Sequence, residues 1–310
     1  MADYTRLAHK DIQEILSQYD LCEPYEVTSM AGGQANTSYR IACGTQKYIL
    51  SVCDEKNPNE VDILIQVLLY LEENRFPTSR PVLTKSSAPF VIHENKPVYI
   101  KEYMDGQVVE HLSAGMVYEA GKMMAQLHQI PPPDCIPKKF PYGKEAFHSV
   151  VDSGMEHPYI PWLKQKSDYI RSHLAEDTEK GFIHGDIYWD NLLFEDGCFR
   201  ALLDFEEASE YYLLYDIAMT CVGCCSKNGR FDKKKISALI DGYQSIQKIS
   251  SIEKKHFPVF ALYAAVAGSF WRFRQYNIKL KGHEKADSYK ELVSLAEHAL
   301  ELNWNHLFNG

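Results

Sequence analysis

The pattern of hydrophobic and polar positions changes along this chain, and the changes divide it. Over Lys10–Tyr19, Ile12, Ile15, Leu16 and Tyr19 recur at helical spacing, with Asp11 early and Asp20 at the exit, which predicts a short amphipathic helix. From Tyr25 the pattern changes to short β-rich pieces: Tyr25–Met30, Thr37–Cys43 and Lys47–Cys53. These read as three antiparallel strands, the first turn glycine-rich (Ala31-Gly32-Gly33-Gln34-Ala35-Asn36) and the second at Gly44. Between Pro58 and Asn74, Val61, Leu64, Ile65, Leu68 and Leu71 return at three- and four-residue steps behind a proline suited to a first helical turn, so one helix packs on the sheet. Phe90–His93 and Pro97–Met104 add two β-like runs.

Past Asp105-Gly106 the pattern turns helical: Ser113–Gln129, Ser167–Leu174, Leu213–Cys225, Lys234–Ile246, Glu253–Tyr276 and Lys285–Leu302. The exception is Gly181–Glu206, where Phe182-Ile183, Asn191–Phe194 and Cys198–Leu203 look like short strands. The last two are joined at Asp196-Gly197, a strong hairpin signal. A β-rich lobe over residues 1–104 and a mostly α lobe over 105–310 follow, an α+β organisation. Pro131–Pro137 reads as a stiff exposed loop.

Composition narrows the partners. The chain has 310 residues, 45% of them hydrophobic, enough for a sizeable core. Lys and Arg total 33 against 42 Asp and Glu, a net charge of −9, so a nucleic-acid partner is not expected; the one basic run, Lys233-Lys234-Lys235, reads as solvated. The uncharged stretch Phe257–Trp271 falls short of the roughly 18 residues a membrane span needs, and the amino-terminal residues lack a basic region followed by an apolar core. Eight dispersed cysteines suit a reducing compartment, which places the protein in the cytoplasm, and Cys221-x-x-Cys224-Cys225 reads as buried thiols.

The segment richest in chemistry is His184-Gly185-Asp186-Ile187-Tyr188-Trp189-Asp190-Asn191, followed after the hairpin by Leu202-Leu203-Asp204-Phe205-Glu206. A turn at Asp196-Gly197 makes Asn191 and Asp204 near-diagonal cross-strand neighbours, about 7–8 Å apart at their backbones, so that their oxygens converge on one cation. Hard oxygen ligands suit Mg²⁺. Asp186, on the loop entering the hairpin, is placed to accept a hydroxyl proton, and phosphoryl transfer needs little more: a positioned hydroxyl and cations across the phosphates. His184 orients the loop through hydrogen bonds. Tyr188, Trp189 and Asp190 either face the acceptor or pack in the core. Glu206, Glu207 and Glu210 suit a substrate ammonium or a solvated helix start, and Arg272 and Arg274 suit a carboxylate or an exposed helix face.

The run H-G-D-x-x-x-x-N with a later aspartate resembles the aminoglycoside phosphotransferase and choline kinase group, relatives of protein kinases. The resemblance implies a two-lobed protein-kinase-like fold, ATP and Mg²⁺ as cofactors, Asp186 as catalytic base, and Asn191 and Asp204 as metal ligands. It also implies that Asp216 in Tyr215-Asp216-Ile217-Ala218 braces the catalytic loop. Tyr19-Asp20-Leu21, Gly33–Tyr39, Tyr48–Ser51 and Phe76–Val82 are similar to the bacterial homoserine kinases of this fold. By that analogy Gly32, Gly33 and Asn36 belong to the phosphate-covering loop, and Glu102-Tyr103-Met104 to the hinge beside adenine.

One departure stands out. Where a kinase-like site carries a strand lysine paired with a helix glutamate, this chain has Ser51 and Leu64, with Lys47 or Lys101 as substitute cations. The expected activity is an ATP-dependent kinase acting on a small amino acid or amino alcohol. Homoserine is the favoured acceptor, and choline, hydroxylysine or an aminoglycoside the alternatives. Tyr188, Asp190, Glu206 and Arg272 are the acceptor-side candidates. A nucleotide-binding regulator without turnover is the reading from a different class.

Overall fold

The computed structural model describes residues 5–21, 25–30 and 36–308. The chain forms two compact units, Met1–Gly106 with Ala201–Phe205, and Gln107–Arg200 with Glu206–Gly310.

The first unit runs α1 (His9–Ser17), β1 (Glu26–Met30), β2 (Asn36–Cys43), β3 (Gln46–Cys53), α2 (Pro58–Glu73), β4 (Pro81–Val82), β5 (Val91–His93) and β6 (Lys96–Glu102). Its antiparallel sheet is ordered β1-β2-β3-β6-β4, with β5 also pairing β6. The register sorts the side chains. Thr37, Val52 and Val98 stand in line across three strands, as do Tyr39, Leu50 and Ile100, and this face packs against Ile12, Ile15 and Leu16 of α1 and Tyr19 just beyond it. The opposite face carries Asn36, Ser38 and Arg40 on β2, Ser51, Ile49 and Lys47 on β3, and Tyr99 and Lys101 on β6, because successive strand residues point to opposite sides.

Helix α2 begins at Pro58 because Asn57 caps it: its side chain accepts the Asn59 and Glu60 N–H groups, and the Glu60 carboxylate accepts the Asn57 N–H at 2.8 Å. Asp54, just past β3, gathers Thr5, Thr37 and Lys96 around its carboxylate and ties the leading segment to the sheet. Burial works to raise this carboxyl, and the hydrogen bonds from those three residues overcome it and lower it. Residues 201–205 return to this unit, where Leu202 N–H donates to the Pro77 carbonyl at 3.0 Å and the Phe205 ring meets Phe76 edge-on.

The second unit contains β7 (Gln107–Val108), α3 (Ala114–His128), α4 (His148–Val151), α5 (Tyr159–His173), β8 (Lys180–Ile183), β9 (Leu192–Glu195) and β10 (Cys198–Leu202, whose last residues enter the first unit). It continues with β11 (Ser209–Tyr212), α6 (Leu213–Cys224), β12 (Ser226–Lys227), β13 (Arg230–Phe231), α7 (Lys233–Gln244), α8 (Ser251–Phe273) and α9 (Tyr289–Glu301). The hairpin of β9 and β10 turns at Asp196 and Gly197, both with positive φ (50° and 78°), the geometry that Asp-Gly favours.

Four expectations need correction. Helix α5 begins at Tyr159, not Ser167, because Tyr159 is anchored by tertiary contacts, stacking on Phe273 at 4.4 Å. Helix α8 does not run on to Tyr276; it passes at Arg274 into a π-helical turn over Arg274–Lys279. Helix α9 starts at Tyr289, well after Lys285. Cys43 is disulfide-bonded, whereas Cys198, Cys221, Cys224 and Cys225 are free thiols; spacing along a chain does not tell which sulfur atoms a fold brings within bonding reach. Among the described residues no helix is long and apolar enough to cross a membrane.

Helices α3 and α7 pack backbone to backbone through two glycines. A Cβ at Gly121 would lie 2.1 Å from the Leu239 carbonyl oxygen, and one at Gly242 would lie 2.0 Å from that of Tyr118. Gly121→Ala is therefore expected to destabilise the fold by roughly 3 kcal/mol, because the helices must separate. Gly115→Ala on the same helix, whose Cβ meets only the Ser113 hydroxyl oxygen at 3.8 Å, should be neutral or gain up to about 1 kcal/mol of helix propensity. Urea midpoints of the two variants, measured side by side, check both signs.

Candidate active site

Strand β8 is held by β11, with Ser209 opposite Ile183, and delivers the chain directly into His184-Gly185-Asp186. Gly185 sits at φ 85°, and a Cβ there would meet the Phe140 ring at 2.6 Å and the Glu207 carbonyl oxygen at 3.0 Å, so this bend admits only glycine. From the first turn of α6 the buried Asp216 braces the bend. One carboxylate oxygen accepts the Gly185 N–H at 2.8 Å and the other the His184 N–H at 3.0 Å. The second oxygen also meets His128 Nε2 at 3.1 Å, and His128 Nδ1 meets the Tyr243 hydroxyl at 2.9 Å. A relay of side chains from α7, α3 and α6 thus ends on two backbone N–H groups of one loop, with Asp216 alone touching them. Burial acts to raise the Asp216 carboxyl, but the hydrogen bond and charge of His128 and the His184 N–H outweigh it and hold it below the ordinary carboxylate range.

Inside the loop, the Asp186 N–H donates to His184 Nδ1 at 3.2 Å, and the His184 ring is fully buried. The Asp186 carbonyl accepts the Tyr188 N–H at 3.0 Å and the Asn191 Nδ2–H at 2.9 Å. Asn191 ends a short 3₁₀ turn, Trp189–Asn191, which joins the loop to β9. Because its Nδ2 is committed to Asp186, its Oδ1 is the atom left to serve as a ligand. Asp204 lies beyond the end of β10 with φ 65°, a left-handed conformation that Asp tolerates better than most residues. Neither residue is in a strand, so the expected cross-strand pairing of Asn191 with Asp204 does not hold: a 3₁₀ turn and a left-handed residue cannot belong to a ladder.

Tyr142, which no sequence signal singled out, stands within electrostatic reach of the loop. Burial raises its hydroxyl, as do the charges of Glu207 and Asp186, against a hydrogen bond with Trp271 and the charge of Arg274. Tyr188 packs on Gly223, where a Cβ would come within 2.7 Å of its ring. Its hydroxyl is raised first by burial, with Arg272 opposing and Asp186 and Asp190 adding to it. Desolvation raises the Asp190 carboxyl. Arg272 is already engaged: its Nη1 donates to Glu291 and to the Ser288 carbonyl, both at 3.0 Å, tying α8 to the start of α9. Glu206 and Glu207 lie in a 3₁₀ turn, and Glu210 is part of β11, 3.9 Å from Lys138.

In the first unit, Gly32 and Gly33 lie outside the described residues. Asn36 opens β2 opposite Cys53, and Ser51 is buried opposite Tyr99. Glu102 ends β6 and donates its N–H to the Arg80 carbonyl at 2.7 Å; the Tyr103 N–H donates to the Lys47 carbonyl at 2.9 Å, and Met104 follows half-buried. Leu64 is buried in α2. Lys47 meets Asp105 at 2.7 Å.

A β-rich unit, a helical unit and a braced loop bearing an aspartate and an asparagine define a protein-kinase-like phosphotransferase. The chain belongs to the phosphotransferase enzyme family (APH), whose model matches residues 26–249. It is 27% identical over 275 residues to the homoserine kinase of Caulobacter vibrioides, covering 86% of this chain and 87% of that protein. Among solved structures it is similar to an amicoumacin kinase in complex with AMP-PNP, Ca²⁺ and Ami, with a TM-score of 0.73 at 14% identity and 97% of both chains covered. It is also similar to a microcompartment-associated aminopropanol kinase, with a TM-score of 0.70 at 17% identity, covering 97% of this chain and 98% of that one. The protein is a small-molecule kinase of this family.

Proposed function

We propose that the protein moves the γ-phosphoryl group of ATP to the hydroxyl of homoserine, giving O-phosphohomoserine. The observation that carries this reading is the loop held by Asp216, which braces the bend ahead of Asp186, whose carbonyl in turn holds the Asn191 amide. In the reaction, the acceptor oxygen bonds to the γ-phosphorus while the bond from that phosphorus to the β–γ bridging oxygen breaks. ADP leaves, and the hydroxyl proton passes to the Asp186 carboxylate. His184, whose Nδ1 accepts the Asp186 N–H, positions the loop.

Asn191 Oδ1 and the Asp204 carboxylate are the oxygen donors that fit Mg²⁺, a cation held by one or two protein oxygens together with substrate phosphates. When bound, it neutralises charge on the phosphates.

Homoserine carries an ammonium and a carboxylate besides its hydroxyl. Glu207 and Arg274, the opposite charges felt by Tyr142 together with Asp186, suit the two, and Arg274 takes the carboxylate role because Arg272 is bound to Glu291. Arg274 opens the π-helical turn, a widened turn that re-aims side chains. The homoserine kinase relatives favour this acceptor. The aminopropanol kinase neighbour makes 3-aminopropanol, the carboxyl-free analogue, the telling competitor. With homoserine, 3-aminopropanol and choline at equal concentration, homoserine should lead by at least tenfold in kcat/KM, about 1.4 kcal/mol, and Arg274→Met should abolish that lead. A preference for either competitor sinks the homoserine assignment and leaves the kinase standing; phosphorylation of none of the three contradicts the amino-alcohol reading.

A further inference from the structure

Ser51 and Leu64 leave the sheet without the lysine and glutamate that hold nucleotide phosphates in kinase-like sites, yet phosphates need a cation from the protein. We infer that Lys101, on the neighbouring strand β6, supplies it; the inference rests on ATP being the phosphoryl donor.

Three observations carry it. The register places Ser51 opposite Tyr99 and Ile49 opposite Lys101, so Lys101 shares the face of Ser51 and stands one diagonal step away, about 7–8 Å between backbones. A lysine stem spans most of that distance. Second, the Lys101 ammonium already leans this way: its Nζ lies over the Tyr99 ring, 5.7 Å from the centroid, and Tyr99 is the residue directly paired with Ser51. The side chain therefore runs back along β6, away from Glu102-Tyr103-Met104 and toward the vacated lysine position. Third, the other cations near this sheet are worse placed. Lys47 is committed to Asp105 at 2.7 Å and sits four residues from Ser51 on β3. Lys96 is held by Asp54 at 2.6 Å and, by strand alternation, belongs to the opposite face. Arg40 shares the face but is exposed on β2. Among the described residues no carboxylate stands within ion-pair distance of Lys101, so its charge is available to an anion, and the buried Leu64 in place of an acidic partner adds no competitor on α2.

A cation on β6 also explains why Ser51 and Leu64 belong together. A lysine at residue 51 would put two ammonium groups on one small area of the sheet face, whereas a buried serine leaves room for the Lys101 stem.

The test separates phosphate from adenosine recognition. Equilibrium binding of Mg·ATP and of adenosine is measured for the whole protein, wild type, Lys101→Met, Lys101→Arg and Arg40→Met, with thermal melting to verify folding. Lys101→Met should weaken ATP binding at least tenfold and leave adenosine binding within about twofold, the loss expected for one charge-assisted contact. Lys101→Arg should recover most of the ATP affinity. Unchanged ATP binding in Lys101→Met, an equal loss of ATP and adenosine, or a phosphate-specific loss in Arg40→Met instead would each overturn the assignment of Lys101. Wild-type protein that binds neither ligand overturns the choice of ATP as donor, a different failure from any of these.

Discussion

Asp186→Asn is expected to lower kcat by about three orders of magnitude while the affinity for ATP stays within a few-fold of wild type. General-base catalysis contributes about 10²–10⁴-fold, and an amide of the same shape cannot take the proton. The main-chain contacts that shape the loop are kept in the variant: the Asp186 N–H goes to His184, and its carbonyl accepts from Tyr188 and Asn191. None of these depends on the carboxylate. Steady-state kinetics with ATP and acceptor varied separately, beside ATP binding, check the split. A kcat within tenfold of wild type would mean that another group takes the proton.

Asp216→Ala should have the largest effect on stability. It strands the buried N–H groups of His184 and Gly185 and removes the partner of His128, all at one fully buried point, a loss of roughly 3–5 kcal/mol. Turnover should fall with it, since the bend that presents Asp186 loses its anchor. The pH dependence gives the effect a signature. The Asp216 carboxyl lies below its ordinary value of 3.8 in the folded protein, so the unfolded chain binds the proton more readily. Its stabilising contribution is then fully present above that ordinary value and is lost as pH falls through the lower folded value. Urea midpoints of wild type and variant should differ most near neutrality and converge in that acid window. A gap that widened on acidification would show that Asp216 is protonated in the fold.

How much of this was legible in the sequence follows from the range of each interaction. The strands β1, β2, β3 and β6, helices α2, α3, α6 and α7 and the Asp196-Gly197 hairpin were legible because period, caps and turn chemistry act within a few residues. The pairings β7 with β9 and β8 with β11 were not: strands of two to four residues carry no measurable period, and their partners come from far along the chain. The same reason hid the start of α5, set by Tyr159 stacking on Phe273, and the disulfide at Cys43. In the candidate site, the spacing from Asp186 to Asn191 and the later Asp204 drew attention to the loop that Asp216 braces but misjudged its geometry, because neither Asn191 nor Asp204 is in a strand. His128, Tyr243 and Tyr142 were missed altogether. A faint signal existed for His128, a polar residue among Met123, Met124 and Leu127 on α3, and nothing short of tertiary structure pairs it with Asp216.

The central claim is that this chain moves a phosphoryl group from ATP to a small-molecule hydroxyl with Asp186 as base. Phosphorus-31 NMR of the protein with Mg·ATP and homoserine tests it most directly. The expected spectrum gains a phosphomonoester resonance coupled to two methylene protons, in step with ADP, and Asp186→Asn under the same conditions yields almost none. ADP formed with inorganic phosphate alone, or an ester that accumulates equally in the Asp186→Asn variant, would contradict the account.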